Sequence, residues 1–202
     1  MAYINKDKKF IFVHIPKTAG NSVKSALGIA EHNHSPLSHL VAEENVNTKD
    51  YFTFAFVRNP YSRLVSAYNF IKSGGYKGNN ECDIKVKEKF IKNLNFKDFV
   101  LENCYKIHKK NELKRNYFIG PVHFSPQTHF IDTKIDFVGK VENLQKDFDT
   151  VCDNIGIPHR VLKHKNTGKK VNYLDYYDDQ LIEIVQSLYH DDFQQFNYKF
   201  GE

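Results

Sequence analysis

Two short polar segments carry residue types suited to holding an anion. The first, "HIPKTAGNS" from His14 to Ser22, sets Lys17, Thr18, Ala19, Gly20, Asn21 and Ser22 after a β-prone run ending at Val13. Apolar residues at helical spacing follow, namely Val23, Ala26 and Leu27. A loop joining the carboxyl end of a strand to the amino end of a helix presents unpaired N–H groups and the positive end of the helix dipole, a combination that favours phosphate or sulfate. Gly20 permits close backbone approach, Ser22 caps or donates, and Lys17 supplies a point charge. An ordinary βα turn with a solvated lysine fits the same letters. The Walker A pattern is not met, because its lysine follows the last glycine and Lys17 precedes Gly20.

The second segment is "FVRNPYSRLVSAY". Arg58 closes a buried apolar run and offers a bidentate fork to a phosphate, while Ser66 lies two helical turns further on, within reach of another oxygen. A carboxylate salt bridge inside the fold is the alternative for Arg58. Arg63 sits at a helical position that faces solvent or an acidic partner, a structural role. The chain has four arginines, so one placed in such a loop stands out against a lysine background.

These residues need elements to hold them. The expected order is a strand to Val13, a helix from the first loop, a short helix with Ser35 as N-cap and Pro36 as first helical residue running to Glu44, and a strand Tyr51 to Val57. A helix with Leu64, Val65, Ala67, Tyr68 and Ile71 on its apolar face follows. Helical segments cover Asp83 to Leu94 and Phe96 to Cys104. A strand Ile135 to Val138 leads to a helix Asn143 to Ile155, closed by Gly156 and Pro158, and a last helix spans Asp175 to Tyr189. Strands alternating with helices imply a mostly parallel α/β sheet flanked by helices, with ligands at the carboxyl ends of the strands.

With 202 residues the chain suits one domain, 1–202, and 41% hydrophobic content places it among globular proteins. Its formal charge of +5 fits an anionic ligand, whereas nucleic acid would call for clustered basic residues interleaved with aromatics, and the lysines here are scattered. No apolar run has the length of a membrane helix, and the amino-terminal apolar stretch is too short for a secretory signal, so the chain reads as soluble and cytoplasmic. Cys82, Cys104 and Cys152 are far apart and form no CxxC pair, which implies free thiols.

"HIPKTAGNS" resembles the 5′-phosphosulfate loop of the carbohydrate sulfotransferase family, whose members take sulfate from 3′-phosphoadenosine 5′-phosphosulfate (PAPS) and release PAP. "FVRNPYSRLVSAY" resembles the same family's 3′-phosphate motif, and Arg58 and Ser66 match its arginine and serine. "HFSPQTHFI", "FVGKVENLQKDF" and "DFQQFNYKF" resemble later blocks, in order, over nearly the whole chain. The resemblance implies a P-loop NTPase-like three-layer fold and a PAPS-dependent transfer to a hydroxyl on an acceptor, a glycan or glycolipid. It assigns Lys17 to the leaving phosphate, the backbone of Thr18, Ala19, Gly20 and Asn21 with Ser22 to the 5′-phosphate, and Arg58 with Ser66 to the 3′-phosphate. No metal is required. A nucleotide-dependent kinase on a related fold and a non-catalytic nucleotide- or glycan-binding module are the alternatives.

An acceptor hydroxyl needs a base. The resemblance puts a histidine somewhat over twenty residues before the motif arginine, and His34 stands 24 residues before Arg58. His32, His39 and His123 compete, and capping or packing beside Ser35 is the plain alternative for His34. His14 reads as a packed neighbour of the loop. Gln127 donates to a sulfate or sugar, or caps. Glu142 and Asn143 cap a helix or orient the site. Lys169 and Lys170 touch the 3′-phosphate or are solvated. Tyr173, Tyr176 and Tyr177 stack on a ligand or pack at a helix start.

Overall fold

The computed structural model describes residues 3–30, 35–75, 80–107, 122–163 and 171–202. The chain divides into two compact units that interleave in sequence: Met1–Arg58 with Gln127–Lys169, and Asn59–Pro126 with Lys170–Glu202.

The first unit contains a four-stranded sheet in the order β1 (Tyr3–Asn5), β2 (Phe10–Val13), β3 (Phe52–Val57), β4 (Phe137–Lys140). Strands β2, β3 and β4 are parallel, with Val13 opposite Ala55 and Val57 opposite Lys140. β1, too short for the sequence to announce, pairs antiparallel with β2 through a tight reversal at residues 6–9. All four residues of β2 are buried, as expected of a strand covered on both faces.

On one face Phe10, Phe12, Phe54 and Phe56 alternate along β2 and β3 and form one core with Val23 of α1 (Gly20–Leu27). Phe148, Val151 and Cys152 of α6 (Leu144–Asn154) join the same core. Phe12 and Phe54 are direct cross-strand partners with ring centroids 5.1 Å apart. Burying each such ring contributes about 2–3 kcal/mol. β4 lies two residues later than the sequence implies, because Asp136 is already engaged: its carboxylate accepts from both the N–H and the hydroxyl of Thr53, each at 2.8 Å. At its other end the Lys140 N–H donates to Asp147 at 2.6 Å, and Asn143 stands at the N-cap of α6 without a side-chain cap hydrogen bond.

In α2 (Leu37–Glu44) Pro36 is the N-cap rather than the first helical residue. Proline has no hydroxyl or carboxylate to offer, so the caps come from a distant turn. Phe130 O accepts from the Leu37 N–H at 3.1 Å, and Asp132 accepts from the Ser38 N–H at 3.0 Å as well as from its hydroxyl.

The second unit is helical: α3 (Pro60–Lys72), α4 (Glu81–Val86), α5 (Phe96–Phe99), α7 (Asp179–Leu188) and α8 (His190–Phe196). α4 and α5 run on into π turns at Lys87–Ile91 and Val100–Cys104. Asn59 caps α3 by accepting from the Tyr61 N–H at 3.1 Å, with Pro60 at the first position. The last helix is divided where one continuous helix from Asp175 was expected. Residues Tyr173–Tyr176 form a 3-10 turn capped by Asn172, and Asp178 begins α7 afresh by accepting from the Leu181 N–H at 3.0 Å. α8, unforeseen in the aromatic tail, follows directly.

Candidate active site

The loop after β2 and Arg58 after β3 leave the sheet at the same end, the carboxyl end of the strands, because the two strands are parallel neighbours. Lys17 and Ala19 both adopt left-handed backbone, with φ 69° and 61°. For non-glycine residues this costs about 1 kcal/mol or more each. Between them Thr18 is buried and anchors the loop by donating its hydroxyl to Ile15 O at 2.9 Å. Ala19 is the N-cap of α1 and has no side-chain oxygen; its carbonyl accepts from Ser22 N at 2.9 Å and Val23 N at 3.3 Å. Among the described residues the N–H groups of Thr18, Ala19, Gly20 and Asn21 donate to no backbone carbonyl. Four donors at a helix start, with no carboxylate anywhere from His14 to Ser22, form a concavity suited to an anion.

Gly20 is needed for space rather than for backbone freedom. A Cβ on it would run into the imidazole of His14, which is buried and stacks on Phe12 at 5.7 Å. His14 is thus the packed neighbour expected. Ser22 donates its hydroxyl to Lys163 O at 2.9 Å, bringing the chain just before residue 164 to the start of α1. Lys169 and Lys170 lie outside the described residues.

Arg58 is half-buried, and Gln127 holds its main chain at two points. The Arg58 N–H donates to Gln127 Oε1 at 2.8 Å, and Gln127 Nε2 donates to Arg58 O at 2.9 Å. Gln127 is fully buried. Ser66 is half-buried on α3, in the second unit.

His34 and His32 lie outside the described residues. His39 is on α2 with Nδ1 3.4 Å from Glu43, one helical turn away. His123 belongs to the second unit, where Nε2 lies 3.3 Å from Asp83 and the ring packs on Phe70 at 4.9 Å. His129, which the sequence reading passed over, is half-buried beside Asp132. Burial pushes its pKa below the ordinary 6.5 and Asp132 opposes that shift.

Arg63 does not face solvent. It is 1% exposed and donates from Nη1 to Ser125 O at 2.8 Å. Burial lowers its pKa, offset by the nearby Tyr189 and Asp192. The C-terminal tyrosines pack: Tyr177 donates to Tyr61 O at 3.0 Å and meets Phe96 edge-on, and Tyr176 accepts from Asn69 at 3.2 Å. Tyr173 donates to Glu202 O at 3.1 Å.

Among the described residues no helix is long and apolar enough to cross a membrane, and no group of three or more His, Cys, Asp or Glu is placed to hold a metal ion. No solved structure matches the chain. A protein of uncharacterised function from Archaeoglobus fulgidus is 28% identical over 126 residues, covering 61% of this chain and 82% of that relative. Carbohydrate sulfotransferase 14 of Danio rerio is 25% identical over 185 residues, covering 78% of this chain and 49% of its own length. The sequence model of the Sulfotransferase family matches residues 1–199. Taken with the α/β sheet and the loop that opens at the carboxyl end of its strands, that match over nearly the full length makes this chain a member of the sulfotransferase family, of the family-2 type and P-loop-like in fold.

Proposed function

We propose that the chain transfers a sulfuryl group from PAPS to a hydroxyl of a carbohydrate acceptor, a glycan or glycolipid, and that residues 1–202 act as one sulfotransferase domain. The observation that carries this reading is the loop between β2 and α1, where left-handed Lys17 and Ala19 bracket N–H groups that have no backbone acceptor. Strain of this kind persists where a ligand uses it. Family membership and the carbohydrate sulfotransferase relative support donor and acceptor class respectively. The free thiols of Cys82, Cys104 and Cys152 support a reducing compartment, the cytoplasm.

The donor supplies an activated sulfuryl group already bonded to a good leaving phosphate. What remains for the protein is positioning and charge balance, as in phosphoryl transfer. The N–H groups of Thr18 to Asn21 bind the 5′-phosphate, and Ser22 braces the helix start behind them. Lys17 balances the charge that develops on the bridging oxygen as the sulfur–oxygen bond to it breaks. Arg58 and Ser66 bind the 3′-phosphate. The acceptor oxygen bonds to sulfur while its proton passes to the imidazole of His34.

Calorimetry tests the donor. PAP should bind more tightly than adenosine 5′-phosphosulfate, with no dependence on magnesium. Equal affinity for magnesium ATP would overturn the assignment in favour of a kinase. Transfer from labelled PAPS to a panel of glycans and glycolipids then tests the acceptor class.

A further inference from the structure

Arg58 stands just beyond the point where the β-ladder ends. The last paired residues of β3 and β4 are Val57 and Lys140, one residue before Arg58. There the Gln127 side chain bonds the main chain at two points, accepting from the Arg58 N–H and donating to the Arg58 carbonyl. A primary amide presents one acceptor and one donor side by side, which is what a neighbouring strand would present. Gln127 is itself held: it is 0% exposed, and its carbonyl accepts from the Phe130 N–H at 3.0 Å, closing the turn that also caps α2 through Phe130 and Asp132.

We infer that Gln127 is a positioning residue for recognition of the 3′-phosphate, acting through the main chain of Arg58 and not by contact with the ligand. Two antiparallel hydrogen bonds fix both the position and the rotation of one peptide unit on each side of the Arg58 Cα, and so fix where the guanidinium fork is launched. A planar fork binds phosphate at two points only when so aimed. Alanine, asparagine or serine at this position would be too short to reach both groups. A purely structural glutamine would raise stability alone, whereas a positioning glutamine sets the preference for ligands bearing a 3′-phosphate.

The inference rests on the donor reading above, and the experiment separates the two. Affinities for PAP and for 5′-AMP are measured on wild type, Gln127→Ala and Gln127→Glu, each checked for a cooperative thermal transition. If wild type does not prefer PAP over 5′-AMP, the donor reading fails. Given that preference, Gln127→Ala should reduce the PAP to 5′-AMP ratio by roughly ten- to a hundredfold, with affinity for 5′-AMP kept. In the Arg58→Ala background the same change should have little further effect.

Gln127→Glu covers the case in which Gln127→Ala does not fold. A protonated carboxyl reproduces the amide's acceptor and donor, but an ionised one turns an oxygen lone pair toward the Arg58 carbonyl. Burial raises the pKa of such a carboxyl, so relative to wild type at each pH its PAP preference should be near normal while the carboxyl is protonated and should fall as pH rises and ionises it. A preference that is already lost at acid pH and does not change as pH rises would overturn the inference, as would a Gln127→Ala protein that folds and keeps the wild-type ratio.

Discussion

The imidazole of His14 occupies the space in which a side chain at position 20 would begin, so that Gly20 and His14 form one packed pair at the mouth of the phosphate-suited loop. His14 is 5% exposed and stacks on Phe12, so it has little room to retreat. The requirement for glycine at this point in the motif therefore has a packing origin, and the ring beneath the loop is part of the loop's construction.

Gly20→Ala should destabilise the protein by about 1–3 kcal/mol, the usual range for an overpacked core. His14→Ala in the same chain should recover much of that loss by removing the ring that the new methyl group meets. Thermal denaturation of the single and double variants measures it, and simple additivity of the two changes would contradict the packing account.

Lys17→Ala should lower kcat by about 10²–10³ while weakening PAP binding much less, because its charge is needed most as the bridging oxygen becomes negative. The left-handed backbone at Lys17 also makes Lys17→Gly the more informative partner. Glycine removes the charge and the backbone strain together, so Lys17→Gly should be as inactive as Lys17→Ala but more stable. Steady-state kinetics with calorimetry on both variants separates charge from strain; a raised KM with unchanged kcat would make Lys17 a binding residue only.

His34→Ala should reduce kcat by about 10²–10⁴, the range for loss of a general base, with PAP affinity intact. In wild type kcat/KM should fall on the acid side as the base takes up its proton. Should His32→Ala or His123→Ala abolish turnover while His34→Ala retains it, the base is reassigned and the donor site stands.

His129 sets a pH dependence of stability whose sign follows from burial. Its folded pKa lies below 6.5, so on acidification the unfolded chain binds the proton first and the folded state loses ground until it too is protonated. His159 works in the opposite sense, since its hydrogen bond to Asp153 raises its pKa; its contribution is present at low pH and lost as pH rises. In thermal melts across about pH 7.5 to 5, wild type should lose stability relative to His129→Gln by a few °C, roughly the scale of a 1 kcal/mol change. A difference that does not vary with pH would contradict the assignment.

The features legible in the sequence are those whose chemistry is local. The run ending at Val13, the loop through Ser22 and the apolar spacing after it announce a strand, an anion-suited turn and a helix, and Arg58 follows its strand without a gap. What escaped is carried by contacts between distant positions. Gln127 meets Arg58 across 69 residues and Asp132 meets Ser38 across 94, and side-chain bonds to a remote main chain leave no periodic trace. The same cause hid the burial of Arg63, whose partner carbonyl at Ser125 lies 62 residues away. Ser35 and Pro36 read correctly as a helix start in type, yet Pro36 itself forms the cap because Asp132 supplies the oxygen. β1 and α8 were missed for another reason: each is too short for periodicity to register.

The interleaving of the two units bears on the order in which the chain can fold as it is made. β3 is complete at Val57, but β4, which covers its free edge, begins at Phe137, after the whole of Asn59–Pro126 has been synthesised. At about 5–20 residues per second, that intervening stretch leaves the β4 side of β3 uncovered for several seconds or more. α2 waits likewise, since its first N–H groups have no acceptor until Phe130 and Asp132 exist. Contacts this far apart slow assembly through loop closure. A nascent chain arrested before residue 127 therefore leaves one edge of an apolar strand, "FTFAFV", open, and that edge is its principal aggregation hazard.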